Sequence, residues 1–265
     1  VADEGGKYLI SLLSGHIGRA NEWCNKLAVR IGAMPVITTA TDARGMFAVD
    51  IFATEHNMRI VNPVMIKDIS GRILNNEPVG ITGNDKYKNL LKVTEERWNG
   101  QIKYTDNSNN EYESGVQIIT GKDDKIVFKR TLKLVPQELA VGIGCKKGKS
   151  AHEIERAVKK TFDKAGLLLE AIAVVASVDR KADEAGIIEF ARKCKVPYKT
   201  YTPEYLRDVE GDFVSSAFVE EQIGVGNVCE RSAGAASSGG EKLVGKTADN
   251  GVTVAIYRVA QKNKE

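Results

Sequence analysis

The chain has 265 residues, of which 42% are hydrophobic and 28% charged, and its formal net charge is +3. This composition is typical of a globular protein, and so small a net charge gives no support for nucleic-acid binding, which needs a concentrated basic surface. No apolar run approaches the roughly 20 residues of a membrane span, and no segment has the pattern of a secretory signal. The four cysteines are scattered without a CxxC pair, so we expect no structural zinc and interpret them as reduced thiols of a cytoplasmic protein.

The first pattern along the chain is a strand, a glycine turn and a helix. Residues 9–13 predict a buried strand, the SGHIG turn at residues 14–18 interrupts it, and residues 21–31 predict an amphipathic helix that ends at Gly32. The apolar residues of this helix recur at helical spacing: Trp23, Leu27 and Ile31. Because a strand comes almost at once, we expect the sequence to begin inside a domain, after that domain's first strands.

A second strand is predicted over residues 34–39, with a turn over residues 40–45. Ligands of open α/β sheets bind beyond the carboxyl ends of strands, so the SGH and TTATD segments are expected on one rim. There His16 suits acid or base chemistry, because its ordinary pKa lies near about 6.5, and Asp42 could orient it and raise that pKa. The alternative is a histidine that merely orders its turn, and sequence order alone does not decide between the two.

The middle of the chain predicts a small α+β segment over residues 56–137. A short helix and a strand are expected in IKDISGRILNNEPVGI, a long hydrophilic loop or hairpin in TDNSNNEYESG, and further strands in GVQIITG and DKIVFKRTLKLV. Nothing in this region has the residue types and spacing of a catalytic group.

A second α/β unit begins near Leu139. The strand LAVGIGC leads through a glycine turn into a helix, with a capping box at Ser150 and Glu153 and a stop at Gly166. Strands and helices then alternate through AIAVVASVD, KADEAGIIEFARKC and VPYKTYTPEYLRDV to a final strand in GVTVAIYRVA. This alternation predicts a mostly parallel sheet with helices on both faces.

The turn GIGCKKGKS has the position of a phosphate loop but not its spacing. Five residues separate Gly142 from Gly148, whereas a Walker A motif has four, and GxGxxG fits no better. Its amides, its lysines and the helix N-terminus suit a carboxylate or a phosphate. A tight turn with solvated lysines is an equally weighted alternative. Cys145 lies near these cations, which would lower its thiol pKa, but we favour a packing role for it.

Two further segments carry alternatives. In ASVDRKADE, helix capping by Ser177 or Asp179 explains most of the pattern, whereas Lys181 near a helix N-terminus could face a ligand carboxylate. The small residues 232–240 favour a loop on composition. The alternative there is a backbone cradle closed by two lysines: Lys242 and Lys246.

The ordered set of motifs resembles the cobalamin biosynthesis protein G family over essentially the whole chain. LLSGHIGRAN and PVITTATD resemble its N-terminal domain, IVNPVMIKDISGRIL its central segment, and GIGCKKGKSAHEI, ASVDRKADEAGI and CERSAG its C-terminal domain. The family usually has GHxGGAN where this chain has Arg19, and usually V-x-E-x-A-A where this chain has VCERSAG around Glu230. We expect an N-terminal α/β (βαβ) unit at 1–55 lacking its first strands, a central linker or α+β segment at 56–137, and a mostly parallel α/β domain at 138–265.

The resemblance implies a hydrolase of anaerobic cobalamin biosynthesis. It would open the δ-lactone of cobalt-precorrin-5A and release acetaldehyde to give cobalt-precorrin-5B. The partner would be a cobalt-containing tetrapyrrole, with neither nucleic acid nor membrane, and no protein cofactor is expected because cobalt comes with the substrate. The assignment leaves room for a homodimer and for transient contact with other enzymes of the pathway. A non-catalytic tetrapyrrole carrier is the alternative, and a nucleotide-binding protein is a weaker one.

The predicted catalytic residues are His16, as the base, and Asp42, which would orient it. The predicted substrate-binding residues are glycines and polar or charged residues at strand ends and turns: Ser14, Gly15, Gly18, Arg19, Asn21, Thr38, Thr39, Thr41, Gly142, Gly144, Gly148, Ser177, Asp179, Lys181 and Glu230.

Overall fold

In the part of the chain that the structure, a computed structural model, describes, three sheets and the helices that join their strands make up the architecture. The described residues are 1–11, 20–37, 46–98, 100–106, 111–211, 213 and 226–260. They belong to two compact units, one formed by residues 1–120 and 124–136, the other by residues 121–123 and 137–265. No helix among the described residues is long and apolar enough to cross a membrane.

The chain begins with a βαβ unit, as predicted. Strand β1 (Tyr8–Ser11) and strand β2 (Met34–Ile37) are adjacent and parallel, and helix α1 (Ala20–Ile31) connects them. Gly32 ends the helix with a φ of +69°, in the left-handed region that glycine tolerates best.

The predicted helix is confirmed, but its apolar stripe is not its buried face. Trp23, Leu27 and Ile31 are 58%, 41% and 56% exposed. The buried residues of α1 are instead Asn21, Cys24 and Ala28. The Cys24 thiol donates a hydrogen bond to the Leu9 carbonyl of β1, which shows the side of the helix that the two strands cover. A sheet of two strands covers only a narrow stripe of a helix.

The central sheet has five strands among the described residues, in the order β3-β7-β6-β4-β5. Strands β4 to β7 are parallel, and β3 is antiparallel to β7. Its strands are β3 (Met58–Ile60), β4 (Gly80–Thr82), β5 (Lys103–Tyr104), β6 (Ser114–Ile118) and β7 (Arg130–Pro136). Its helices are α2 (Val49–Glu55), α3 (Ile66–Leu74) and α4 (Lys88–Arg97).

This region is more regular than the predicted small α+β segment. Helix α4 was missed because it buries little besides Leu91 and Thr94, and β5 because it has only two residues. The core reaches back to Phe47 and Phe52, which pack with the strands of this sheet. The predicted domain boundary after residue 55 therefore falls between two elements of one core.

The C-terminal sheet confirms the α/β class, with its five described strands in the order β10-β9-β8-β12-β11. Strands β8 to β10 are parallel, and β12 is antiparallel to both β8 and β11. Its strands are β8 (Leu139–Cys145), β9 (Ile172–Val178), β10 (Tyr198–Tyr201), β11 (Lys242–Asp249) and β12 (Val252–Arg258). Its helices are α5 (Ala151–Lys164), α6 (Ala185–Cys194), α7 (Pro203–Arg207) and α8 (Val228–Ser237).

The loop predicted over residues 232–240 is wrong, because helix α8 continues to Ser237. This helix packs on the small residues of β8, β9 and β12, including Ala140, Ala176 and Ala255. Composition suggested flexibility because glycine, alanine and serine are common in loops. Here the same small residues let a helix lie close against the sheet.

Candidate functional site

Most of the N-terminal candidates lie outside the described residues: Ser14, Gly15, His16, Gly18, Arg19, Thr38, Thr39, Thr41 and Asp42. Their roles stay predictions. In the described part of the chain, Ser11 is the last residue of β1, Ile37 is the last residue of β2, and the two are register partners. The chain therefore leaves both parallel strands at the same edge of this sheet, as the sequence predicted.

Asn21 is the one N-terminal candidate that the structure describes. It lies in the first turn of α1, is buried, and its side-chain oxygen accepts a hydrogen bond of 2.6 Å from the Ser11 hydroxyl. This bond ties the start of α1 to the end of β1, on the two sides of the segment that contains His16. In the structure Asn21 thus links helix α1 to strand β1.

The C-terminal unit offers a second edge of the same kind. Strands β8 and β9 are parallel neighbours, with Gly142 opposite Ala176. Beyond their carboxyl ends lie two turns, which we call the lysine turn (residues 146–150) and the acidic turn (residues 179–184). These are the GIGCKKGKS and ASVDRKADE segments of the sequence, so the structure brings them together on one rim.

The amides of the lysine turn are already bonded to carboxylates of the protein. The Gly148 amide donates to Glu184 Oε1 at 2.8 Å, and the Ser150 amide donates to Glu153 Oε2 at 3.0 Å. The Glu153 amide in turn donates to the Ser150 hydroxyl, which completes the predicted capping box. A ligand carboxylate would have to displace one of these side chains to reach the same amides.

The lysines of the rim fall into two classes. Lys149 is paired with Glu153 at 2.7 Å, and Lys181 is paired with Glu184 at 2.7 Å. Lys146 and Lys147 are exposed, and neither forms an ion pair with a described residue. They are the cations of the lysine turn that remain available to a ligand.

Electrostatics keeps both carboxylates of the rim charged. Burial acts to raise the pKa of Glu184, but hydrogen bonds from Lys181 and Gly148, and the charges of Lys181 and Lys147, hold it below its ordinary value. The hydrogen bond from Lys149, followed by those from Ser150, lowers the pKa of Glu153 to about 2. The acidic partners of Lys149 and Lys181 are therefore ionised at neutral pH.

Cys145 is not an activated nucleophile. Burial raises the pKa of its thiol above the ordinary value, and the charges of Lys181 and Lys149 only partly offset that. A protonated thiol at neutral pH is a weak nucleophile. The packing role favoured from the sequence fits this setting.

Neither residue predicted to cap α6 has that role in the structure. The Ser177 hydroxyl is fully buried and donates to the Ile143 carbonyl at 2.6 Å, and Asp179 begins a short 3-10 helix, Asp179–Lys181. Glu184 is the residue before the first turn of α6, and it has no side-chain capping bond there. The sequence did not reveal the contacts that Glu184 makes. One partner, Gly148, is distant in the chain, and the other, Lys181, is separated from Glu184 by a turn.

The two strand glycines have packing roles. A Cβ on Gly142 would lie 1.8 Å from the Cys229 carbonyl oxygen of α8, and one on Gly144 would lie 2.6 Å from the Thr253 hydroxyl. The third glycine, Gly148, has a φ of +81° with open space around it, so its turn conformation favours glycine there. Binding of substrate by these three glycines stays a prediction.

Glu230 is buried, with 1% of its surface exposed. One carboxylate oxygen accepts the Lys246 amide of β11, and the other lies 3.6 Å from the Lys242 ammonium. A Cβ on Gly245 would come within 3.2 Å of the same carboxylate. Glu230 thus stabilises the edge strand β11, whose pairing with β12 is irregular. Contact of Glu230 with substrate stays a prediction.

The chain matches three families in succession: Cobalamin synthesis G N-terminal over residues 1–42, Cobalamin biosynthesis central region over residues 47–136, and Cobalamin synthesis G C-terminus over residues 139–257. A Salmonella typhimurium protein named cobalt-precorrin-5A hydrolase is 33% identical over 259 residues, which cover 97% of this chain and 73% of that protein. A Methanocaldococcus jannaschii protein named probable cobalt-precorrin-5A hydrolase is 30% identical over 264 residues, which cover 94% of this chain and 74% of that protein. The protein in the crystal structure of cobalamin biosynthesis protein chiG from Agrobacterium tumefaciens is 26% identical to this chain. The match covers 46% of this chain and 99% of that protein's chain, with a TM-score of 0.37.

Proposed function

Because this chain belongs to the cobalamin biosynthesis protein G family, we propose that it is a hydrolase of cobalamin biosynthesis that acts on cobalt-precorrin-5A. The reaction opens the δ-lactone of the substrate and releases acetaldehyde, which leaves cobalt-precorrin-5B. The relative from Salmonella typhimurium, which is named cobalt-precorrin-5A hydrolase, supports the hydrolase assignment over nearly the whole chain.

The proposed chemistry consumes one water and needs no redox partner. Water adds to the lactone carbonyl, and collapse of the tetrahedral intermediate leaves a carboxylate and a secondary alcohol on the carbon that carries the methyl group. Deprotonation of this alcohol then breaks its bond to the macrocycle in a retro-aldol step. Acetaldehyde leaves, and a proton replaces it on the ring carbon. The protein must therefore supply a base, a proton donor and stabilisation of an oxyanion.

His16 is the proposed base, and Asp42 the residue that orients it. The observation that supports this pairing is the register of Ser11 with Ile37, since the chain leaves β1 and β2 at one edge of the sheet. A nearby carboxylate would fix the imidazole tautomer and raise its pKa. Hydroxyl and amide groups of the same two segments would stabilise the oxyanion: Ser14, Gly15, Gly18, Thr38, Thr39 and Thr41. Arg19 would contact a substrate carboxylate.

The proposed substrate carries several acetate and propionate carboxylates, which cations of the C-terminal unit can receive. Lys146 and Lys147 are exposed, and the paired Lys149 and Lys181 already have acidic partners. We therefore place the carboxylate contacts of this unit on Lys146 and Lys147. Cobalt enters with the substrate, so no resident cofactor is part of the proposal. The four free thiols support a cytoplasmic location.

The test is anaerobic incubation of the protein with cobalt-precorrin-5A and trapping of acetaldehyde with a hydrazine. One equivalent of acetaldehyde per substrate is the expected result, and a His152→Ala variant, changed at an exposed histidine of α5, should match the wild type. Substrate that stays bound without release of acetaldehyde would instead assign the carrier function.

A further inference from the structure

One carboxylate joins the two turns of the C-terminal rim. Glu184 Oε1 accepts the Gly148 amide of the lysine turn at 2.8 Å, and Glu184 Oε2 accepts the Lys181 ammonium of the acidic turn at 2.7 Å. The side chains of Glu184 and Lys181 are only 9% and 14% exposed. This is a largely desolvated ion pair with a third partner, unlike the solvent-exposed pairs that contribute little.

The backbone around this junction is closely packed. A Cβ on Gly186, in the first turn of α6, would lie 2.0 Å from the Lys149 carbonyl oxygen, so α6 begins directly against the lysine turn. On the other side, the Tyr198 hydroxyl of β10 donates to the Lys181 carbonyl at 2.7 Å. The segment from the acidic turn into α6 therefore contacts the lysine turn on one side and β10 on the other. The hydrogen bond from Gly148 to Glu184 couples the position of the acidic turn to that of the lysine turn.

Release of Lys181 to a substrate carboxylate would be costly. It would leave the largely covered Glu184 side chain, beside the Gly148 amide, without the ammonium that pairs with it, and removing one partner of such a pair is destabilising. Lys146 and Lys147 carry a smaller cost, because both are exposed and neither forms an ion pair with a described residue, although the charge of Lys147 also acts on Glu184. The lysines of the rim are thus divided between two that pair with glutamates, Lys149 and Lys181, and two that form no ion pair with a described residue.

We propose that Glu184 is a positioning residue that holds the lysine turn in its substrate-binding geometry, and that Lys181 serves this junction rather than a substrate carboxylate. The inference rests on the proposed function, since the substrate it concerns is the carboxylate-bearing tetrapyrrole. Glu184 acts through the turn that carries Lys146 and Lys147 and does not touch the substrate itself.

Four variants test the junction: Glu184→Gln, Glu184→Ala, Lys181→Met and the double variant Lys181→Met with Glu184→Ala. Each single change should raise KM for cobalt-precorrin-5A by about tenfold and leave kcat within about twofold, because displaced binding groups weaken substrate binding before they affect chemistry. In the Glu184→Ala background, Lys181→Met should add nothing. The control is Glu189→Gln on the same helix, whose pair with Lys193 is exposed on both sides.

A second readout does not depend on turnover. Hydrogen–deuterium exchange of residues 146–150 should accelerate in Glu184→Ala and Lys181→Met, where the Gly148 amide loses its acceptor or its ordered setting, and stay unchanged in Glu189→Gln. If Glu184→Ala does not fold, Glu184→Gln and Lys181→Met carry the same comparison. Both changes keep side chains of similar size.

The KM values and exchange rates of these variants distinguish a positioning role of Glu184 and Lys181 from direct contact with the substrate. If Lys181→Met raises KM equally in the wild-type and Glu184→Ala backgrounds, Lys181 contacts the substrate itself and the proposal is overturned. Unchanged KM and unchanged exchange in the Glu184 variants would also overturn it. A wild-type protein that releases no acetaldehyde would contradict the proposed function, while the exchange rates of residues 146–150 would still decide whether Glu184 holds the turn.

Discussion

Two units of this chain share the sequence pattern of a strand, a glycine-containing turn and an amphipathic helix, but their surroundings differ. In the C-terminal unit, α5 places Ile154, Val158 and Phe162 at intervals of four residues, and all three are fully buried. In the N-terminal unit, α1 places its apolar residues at the same intervals, but this stripe is exposed. Helix α5 lies on a sheet of five described strands and α1 on one of two. Periodicity therefore predicts the helix, whereas the neighbouring elements select the face that is buried.

The described residues beside the strand ends of the two units make different contacts. Beyond β8 and β9, glutamates of the protein accept the turn amides and pair with two of the lysines. At the N-terminal unit, the bond between Ser11 and Asn21 joins the strand to the helix. Carboxylate binding by the C-terminal turns and chemistry in the segments that follow β1 and β2 are both proposals, each made for its own unit.

The largest effect is expected from His16→Ala. Loss of a general base should lower kcat by about 10²- to 10⁴-fold, with tetrapyrrole binding retained. Acetaldehyde release measures kcat, and quenching of intrinsic fluorescence by the corrinoid measures binding. Turnover equal to that of the wild type would remove His16 from the mechanism.

The contrast between the helices can be tested by two truncations at the same point of each stripe. Phe162→Ala should lower the free energy of unfolding by about 3–5 kcal/mol, as expected for a large buried side chain. Ile31→Ala should change it by less than about 0.5 kcal/mol, because the residue is 56% exposed. Urea unfolding of both variants measures this. A cost at Ile31 similar to that at Phe162 would mean that this face of α1 is covered in solution.

Charge reversal tests the binding role of the lysine turn. Lys146→Glu combined with Lys147→Glu should raise KM by about tenfold, equivalent to about 1.4 kcal/mol, with kcat within about twofold. The effect should shrink at high salt, because exposed charges are screened. Lys159→Glu, on the exposed face of α5, is the single-site control, and an equal KM change there would indicate a general effect of net charge.

The smallest effect concerns pH. The pKa of Glu153 is about 2 in the folded protein against an ordinary 4.5, so the stabilisation from its capping box is fully present above pH 4.5 and is lost as pH falls towards 2. The difference in Tm between the wild type and Glu153→Gln should therefore narrow over that range. Glu155→Gln, two residues further along the same helix, is the comparison variant. A difference that stays constant to low pH would contradict the shifted pKa.

Local signals in the sequence predicted much of the fold. The Ser150–Glu153 capping box, the glycine stops at Gly32 and Gly166, and the parallel strands that flank α1 and α5 all occur as expected. Each depends on residues close together in the chain. The ordered motifs also placed the chain in its family, because order along the whole chain is far more specific than any one motif.

The failures have a common cause. Helix α8 was interpreted as a loop because its small residues resemble those of loops, and only the sheet beneath shows why they are small. Helix α4 was missed because it buries few residues and has little periodicity. The contacts of Lys181 and Gly148 with Glu184 were also missed, because the sequence does not reveal that Glu184 reaches across the rim.

By itself, the sequence determined the α/β class, the family and the positions of the turns, because hydrophobic periodicity, caps and glycine stops act over a few neighbouring residues. The tertiary structure alone decided which face of each helix is buried and why Gly142 must be a glycine beneath α8. It also decided which lysines of the rim pair with glutamates and which form no ion pair with a described residue. Those properties depend on atoms brought together from distant parts of the chain, where contact distance and desolvation, rather than sequence spacing, set the free energy.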